Sequence, residues 1–263
     1  MNFKIKGRWP KMFNAIILAG TKGRGPLEVA TNVGNKALII INEKPTIDYI
    51  IDALKGSKNI DKIVVVGPKN ELYPYIGEKV EQIIEPGNSI LYNLEVGIKY
   101  FNTNKDLLIL TSDIPLISPQ AIDEFIEKCL ERKAHLGYPI IQKEDIIKKY
   151  PEAQRTYVKI KEGTFCGGNI IFFKPEIFYE NKKMIQELFE NRKAMWKWAK
   201  ILGFKFVLKY LLKIITLDEI EEKVSNLVGY KSIAVIVSYP EIMIDLDKIS
   251  DYELVQKYLK KIK

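Results

Sequence analysis

The chain is poor in the residues that most covalent enzyme chemistry relies on, with one histidine and two cysteines in 263 residues. So few candidates leave hardly any nucleophile–base pair to assemble. Cys129 and Cys166 lack metal-type spacing and a set of disulfide partners, which predicts a reduced, cytoplasmic setting. His135, at a helix end away from the glycine-rich loops, reads as structural. No apolar stretch reaches the roughly 18 residues that a membrane-spanning helix needs. The basic tail at residues 1–12, MNFKIKGRWPKM, has no apolar centre of the secretory type, and Met12, just before the first strand, is a candidate start. Internal repeats and low-complexity linkers are missing too. Acidic charge is outnumbered, with 41 Lys+Arg against 33 Asp+Glu for a net +8. That excess suits polyanionic ligands or an acidic membrane surface. Spread through every segment instead of blocked into a tail, it does not point to nucleic acid.

What is present is enough to bury a full core. At 47% hydrophobic residues the chain fits one domain, 1–263, carrying an insertion. Its first half alternates strand candidates at 14–19, 62–67, 81–84 and 106–111 with helix candidates at 46–56, 70–78, 89–101 and 119–132. That alternation predicts a βαβ series on a mostly parallel sheet. Ser118 followed by Pro119 supplies a cap and a first-turn residue for the last of these helices. Beyond residue 135 the texture changes. RTYVKIKEGTFCGGNIIFF predicts a hairpin around Lys161-Glu162-Gly163, and residues 176–228 read as a lysine-rich helical insertion. Residues 231–237 and 241–246 read as strands, and 249–262 as a closing helix.

The richest stretch is NAIILAGTKGRGPLEVATNVGNKALIIINEKPTIDYIIDAL, residues 14–54. An apolar run ends in a loop with Gly20, Gly23 and Gly25, and Lys36 precedes a second apolar run. Glycines after a strand let backbone N–H groups approach an anion, and a lysine from a separate segment neutralises it from another side. Ligands of open parallel sheets gather outside the carboxyl ends of the strands. Polar punctuation falls there four times: at Gly20–Gly25, at Gly67-Pro68, at Glu85-Pro86-Gly87-Asn88-Ser89 and at Thr111-Ser112-Asp113-Ile114-Pro115. Asp113 closes LLILTSD, a run apolar enough for a buried strand, where a carboxylate is costly unless paired or bound to metal. The alternative is an aspartate that caps the turn before Pro115. Asp245 and Asp247 flank Leu246, and strand alternation puts both on one face. A carboxylate from each segment suits Mg²⁺, which takes one or two carboxylates plus phosphate oxygens and water.

LAGTKGRGPL, NKALIIINEKPTIDYIIDAL, LLILTSDIPLISPQAIDEF and IDLDKISDYELV, in that order, resemble the MobA-like and sugar-phosphate nucleotidyltransferases over about residues 14–130 and 239–259. The resemblance implies a three-layer α/β fold whose mostly parallel central sheet is Rossmann-like (GT-A-like). It implies Mg²⁺-dependent transfer of a nucleotidyl group from an NTP to a phosphorylated sugar, polyol or cofactor precursor, with release of pyrophosphate. Leu18, Ala19, Gly20, Thr21, Gly23 and Arg24 then correspond to the triphosphate loop, and Lys36 to the lysine near the α-phosphate. Gly67, Pro86, Gly87, Asn88 and Ser89 fall on the rest of the nucleotide site. Asp113 matches the magnesium aspartate, and Asp247 or Asp245 the second metal position. Gly167, Gly168 and Asn169 match the acceptor-binding segment, and Arg155, near the hairpin, is a candidate acceptor-phosphate contact. Positioning and charge neutralisation by Lys36, Arg24 and Asp113 carry such a reaction without a protein nucleophile. The chain leaves the usual Gly-Gly pattern at Thr21.

Inside the insertion, Lys193, Lys197, Lys205, Lys209 and Lys213 stripe a segment otherwise rich in Trp196, Trp198, Phe204, Phe206, Leu208, Tyr210, Leu211 and Leu212, with a break at Gly203. The stripe fits a helix packed on two sides in the core or in a homodimer. It also fits residues 193–213 lying against a membrane or a lipidic acceptor. Two other functions share this architecture. One is a nucleotide-sugar glycosyltransferase, whose Asp-x-Asp letters occur late, at Asp245-Leu246-Asp247. The other is a non-catalytic nucleotide-binding module at a membrane surface.

Overall fold

A computed structural model describes residues 13–20, 25–102, 105–190 and 201–262. The elements run β1 (Phe13–Leu18), α1 (Pro26–Thr31), a 3-10 turn at Lys36–Leu38, β2 (Ile40–Ile41), β3 (Lys44–Pro45), α2 (Thr46–Gly56), β4 (Ile60–Val66), α3 (Lys69–Ile76), β5 (Gln82–Ile84), α4 (Ile90–Phe101), β6 (Leu107–Thr111) and α5 (Pro119–Glu131). They continue with β7 (Leu136–Gln142), α6 (Lys143–Lys149), β8 (Val158–Ile160), β9 (Gly163–Gly167), β10 (Ile170–Phe173), α7 (Pro175–Glu190), α8 (Phe204–Leu211), α9 (Leu217–Val228), β11 (Ser232–Ile236), a 3-10 turn at Pro240–Met243 and α10 (Ile249–Ile262).

Nine strands form one mixed sheet in the order β5-β4-β1-β6-β10-β7-β9-β8, with β11 added on β7. β5, β4, β1 and β6 are mutually parallel, the α/β half that the alternating pattern predicts. From β1 the chain moves outward to β4 and β5, then returns to β6 on the other side of β1. The carboxyl ends of β1 and β6 therefore flank a switch point, the place where such sheets bind ligands. Strand alternation splits the core into two layers. Ala15 and Ile17 face Ile47, Ile50 and Ile51 of α2 and Ile122 and Phe125 of α5, whereas Ile16 faces Ile98 of α4 and Ile177 and Phe178 of α7. A smaller cluster joins Leu27 of α1, Ile39, Ile244 and Leu246 to Leu254, Val255 and Leu259 of α10. It fastens the end of the chain to the glycine-loop side of the sheet.

Ser118 caps α5 as expected, its Oγ accepting from the Ala121 amide at 3.3 Å. Residues 241–246 do not form a strand. Pro240, which has no N–H to give a ladder, opens a 3-10 turn instead. The extended piece that follows ties to the sheet by one bond, from the Leu246 amide to the Asp113 carbonyl at 2.9 Å. β7 was hidden from the sequence pattern by Gly137 and Pro139, yet it pairs with β10, β9 and β11. Farther along, Phe206 of α8 and Leu217 and Ile220 of α9 pack on Ile160 and Phe165 of the β8–β9 hairpin. Among the described residues no helix is long and apolar enough to cross a membrane.

Candidate active site

One buried asparagine holds the loop after β1 and another the loop after β5. The Ala19 amide continues the ladder to the Val66 carbonyl (2.8 Å), and its carbonyl accepts from Asn35 Nδ2 (2.7 Å). Asn35 Oδ1 accepts from the Ala37 amide (3.0 Å) and so caps the 3-10 turn that carries Lys36. One side chain thus fixes the glycine loop relative to the lysine. On the other flank Asn93 of α4 fixes the loop after β5, its Oδ1 accepting from the Gly87 amide at 2.7 Å. A Cβ at Gly20 would lie 2.4 Å from Asn93 Nδ2 and 2.7 Å from Pro86 Cβ, so the loops after β1 and β5 touch at a point only glycine fills. Gly67 is buried behind Ala19, where a Cβ would stand 3.0 Å from the Ala19 Cβ. Leu18, Pro86 and Gly87 are half-buried, and Asn88 and Ser89 are exposed, with Ser89 Oγ capping α4 through the Tyr92 amide at 3.1 Å.

Across the switch point stand the acids. Asp113, Asp245 and Asp247 each offer an oxygen within 4.8 Å of the others. Lys36 Nζ pairs with Asp247 Oδ1 and lies 3.5 Å from Asp113 Oδ2. Asp113 Oδ1 is buried and has no hydrogen-bond partner among the described residues. Burial raises the Asp113 carboxyl above its ordinary value, with the nearby Thr111 hydroxyl and Lys36 opposing the rise and Asp247 adding to it. Burial likewise lifts Asp245 to about 6, against the pull of Arg155 and with the push of Asp113 and Asp247. Burial by itself would lower the Lys36 ammonium, but its bond to Asp247 and the charges of Asp113, Asp247 and Glu28 raise it, so it stays cationic. An orphaned carboxylate oxygen and crowded acids with raised pKa values are what a hard divalent cation relieves. Oxygens on one Mg²⁺ lie roughly 3–4 Å apart, a small closure from the present spacing, so these residues fit Mg²⁺.

Beneath this group, Arg155 is almost fully buried and gives both ends of its guanidinium to the acidic segment. Nη1 bonds Asp245 Oδ1, while Nη2 reaches the Asp245 carbonyl (3.1 Å) and Asp251 Oδ1 (2.9 Å). The other oxygen of Asp251 accepts from the amides of Asp247 (3.1 Å) and Lys248 (2.9 Å). This is the return half of a capping box at the start of α10. The predicted acceptor contact is thus also the post that aims Asp245, and only its Nε is buried without a partner among the described residues. A cleft of about 360 Å³ opens here, lined by Tyr138, Cys166, Gly167 and Asn169 together with Arg155, Asp245, Asp247 and Asp251. The bulge between β9 and β10 builds its wall. The Thr111 amide bonds the Asn169 carbonyl (3.1 Å), and the Gly168 amide the Pro139 carbonyl (3.0 Å). A Cβ at Gly168 would meet Ile242 Cγ2 at 2.7 Å and Pro139 Cγ at 2.8 Å.

The structure therefore gathers Ala19, Gly20, Lys36, Pro86, Gly87, Asp113, Gly167–Asn169, Asp245 and Asp247 at one edge of the sheet. Thr21, Gly23 and Arg24 lie outside the described residues. His135 stands at the opposite edge, at the start of β7, with its ring edge-on to Tyr230. Sequence reasoning missed Asn35, Asn93 and Asp251. Only Asp251 carried a local signal, three residues past the cap position of a helix.

The MobA-like NTP transferase domain family matches the chain over residues 15–198. A ribitol-5-phosphate cytidylyltransferase of Lacticaseibacillus paracasei is 28% identical over 132 residues, 46% of this chain and 54% of that protein. A probable molybdenum cofactor guanylyltransferase of Thermococcus kodakarensis is 32% identical over 122 residues, 44% of this chain and 54% of that one. The chain spans about half the length of the curated relatives it matches. Among solved structures, a hypothetical transferase from Thermus thermophilus superposes with a TM-score of 0.79 at 28% identity, covering 91% of this chain and 98% of that one. A CMP:2-keto-3-deoxy-manno-octonic acid synthetase complexed with CTP, at TM-score 0.63 and 11% identity over 95% of this chain and 99% of that one, shares the fold.

Proposed function

The chain belongs to the MobA-like NTP transferase domain family, and from that premise we propose that it transfers a nucleotidyl group from an NTP to a phosphorylated small-molecule acceptor. An acceptor phosphate oxygen attacks the α-phosphorus, the bond between the α-phosphorus and its bridging oxygen breaks, and pyrophosphate leaves. The observation that carries the reading is the meeting of Lys36 with Asp113, Asp245 and Asp247 at the β1–β6 switch point, beside the Gly20 loop. Both reactants are anions, so the protein's task is to hold them close and spread the developing charge. Asp113, Asp247 and Asp245 are the residues that would hold Mg²⁺, which when bound supplies positive charge to the phosphate oxygens. Lys36, kept cationic by its acidic neighbours, neutralises charge near the α-phosphate. Gly20 lets the backbone approach the triphosphate, and Thr21, Gly23 and Arg24 complete the loop. Pro86–Ser89 takes the base and ribose. Gly167 and Asn169 line the acceptor side of the cleft, with Gly168 between them and Arg155 in its wall.

Names of the relatives direct the choice of acceptors. The test is pyrophosphate release from each of the four NTPs with Mg²⁺, against ribitol 5-phosphate, 2-C-methyl-D-erythritol 4-phosphate, sugar 1-phosphates and a pool of phosphorylated metabolites. One NTP–acceptor pair is expected to release pyrophosphate, and Asp113→Asn to cut that rate at least 10³-fold, the scale of losing a principal charge-stabilising group. No pyrophosphate from any pair, or an Asp113→Ala protein that binds Mg²⁺–NTP as tightly as its parent, refutes the assignment. Consumption of a nucleotide-sugar without pyrophosphate would select the glycosyltransferase instead.

A further inference from the structure

Helix α8 has two apolar sides, and one of them is uncovered. Phe206 faces inward to Ile160, Phe165 and Ile215. On the outer side Phe204 is 75% exposed, Leu208 44%, Leu211 55% and Leu212 59%. Their spacing of i, i+4, i+7 and i+8 lines them in a single stripe. Lys205, Lys209 and Lys213 run beside it, all exposed, with Lys209 paired to Glu219. From 191 to 217 the chain carries seven basic residues and no acidic one.

A soluble surface helix puts its polar face outward. Here the outward face is apolar and is bordered by one sign of charge, the pattern of a helix lying in a bilayer interface. Anionic headgroups answer the lysines while the acyl boundary takes Phe204, Leu208 and Leu211. A second copy of the chain answers them poorly. A two-fold contact sets this face against itself, the helix carries no acid of its own, and the neighbouring Glu219 already pairs with Lys209 of the same copy. We propose that α8 docks the protein on the surface of an anionic lipid bilayer. The hairpin beneath α8 links that surface to the cleft, since Phe165, packed with Phe206, directly precedes Cys166 and Gly167 of the cleft wall.

The test is flotation of the intact protein with vesicles of phosphatidylcholine alone or mixed equally with phosphatidylglycerol, at low and high salt. Binding to the anionic vesicles is expected at least tenfold above that to the neutral ones, and is expected to weaken with salt. Phe204→Ser/Leu208→Ser/Leu211→Ser should lower it at least tenfold, and Lys205→Gln/Lys213→Gln should remove its preference for anionic lipid. Both variants change exposed side chains, so far-UV circular dichroism and melting temperature should match the parent. Absence of binding to anionic vesicles overturns the proposal, as does a triple variant that binds like the parent. So does a parent that dimerises through this face, with the triple variant monomeric, and floats with neither vesicle.

Discussion

Replacing Asp251 with alanine should damage the protein more than any other single change in the acidic segment, though Asp251 is not among the residues proposed to hold Mg²⁺. Asp251 is 3% exposed and its side chain makes three hydrogen bonds, one to Arg155 and one each to the amides of Asp247 and Lys248. Removing one partner of a buried ion pair costs about 3–5 kcal/mol because the other charge is left uncompensated. Arg155 keeps Asp245, which puts the loss at the lower end. Two amides that lose a charged acceptor add about 1 kcal/mol between them, since water can reach the exposed Asp247 and Lys248. The total is about 4 kcal/mol. At about 2–4 °C per kcal/mol for a chain of this size, the melting temperature should fall by about 8–16 °C.

Thermal and urea unfolding of parent, Asp251→Ala, Arg155→Met and the double variant measure this. The double variant should be more stable than the sum of the single losses implies, because it leaves no uncompensated charge. Asp251→Asn, which keeps an acceptor for the amides, should fall between parent and alanine. At 20 °C, where the alanine variant is still folded, its half-saturating Mg²⁺ should rise several-fold as Asp245 and Asp247 lose their anchor. A melting temperature within about 2 °C of the parent, or a coupling below about 0.5 kcal/mol between Arg155 and Asp251, would refute the reasoning.

Two further outcomes follow from the same geometry. Gly20→Ala has ordinary backbone angles to adopt, so its cost is spatial: displacing Asn93 and Pro86 costs about 1–3 kcal/mol and should raise the KM for NTP at least tenfold, and a KM within twofold of the parent would contradict it. Asp106 is lifted by burial to about 6, Lys174 pulling it down and Glu176 pushing it up, so folding favours its protonated form. The stability it contributes is present below about pH 4 and is lost as pH rises through 6. Asp106→Asn should therefore exceed its parent by about 1–2 kcal/mol at pH 8, after screening by water, and match it at pH 4. Equal urea midpoint shifts at both pH values would show that burial of this charge is not the cause.

Much of the fold could be read from the chain because its parallel half obeys local rules. β1, β4, β5 and β6 are short apolar runs separated by helices, and the glycine loop and Asp113 stand where such runs end. β7 could not be read that way. Its Gly137 is there for space, since a Cβ would sit 2.4 Å from Cys129 Sγ, and Pro139 argues against a strand unless the neighbours are known. The segment 241–246 failed for the opposite reason, because its apolar run is genuine but Pro240 turns it away from the ladder. Leu246 is buried and the two aspartates flanking it face the same site, so the predicted placement of the carboxylates survives the loss of the predicted strand. Asn35, Asn93 and Asp251 left almost no trace because their partners arise only on folding. Asp251 and Arg155 are separated by 96 positions.

The charge balance supports the proposed Mg²⁺. Asp113, Asp245, Asp247 and Asp251 bring four carboxylates, and Lys36 and Arg155 two cations, which leaves two negative charges when all are ionised. A divalent cation cancels that excess, whereas Lys36 and Arg155 alone leave Asp113 Oδ1 without a partner among the described residues. Three of the four acids come from residues 245–251, and the Leu246 amide holds that segment to the Asp113 carbonyl. The site is therefore incomplete until the C-terminal segment closes against β6. Mg²⁺ should bind this closed form and not the unfolded chain, and so raise the melting temperature in proportion to its occupancy. The same rise should vanish in Asp113→Asn, because that change removes one of the two surplus charges and the unpartnered oxygen together.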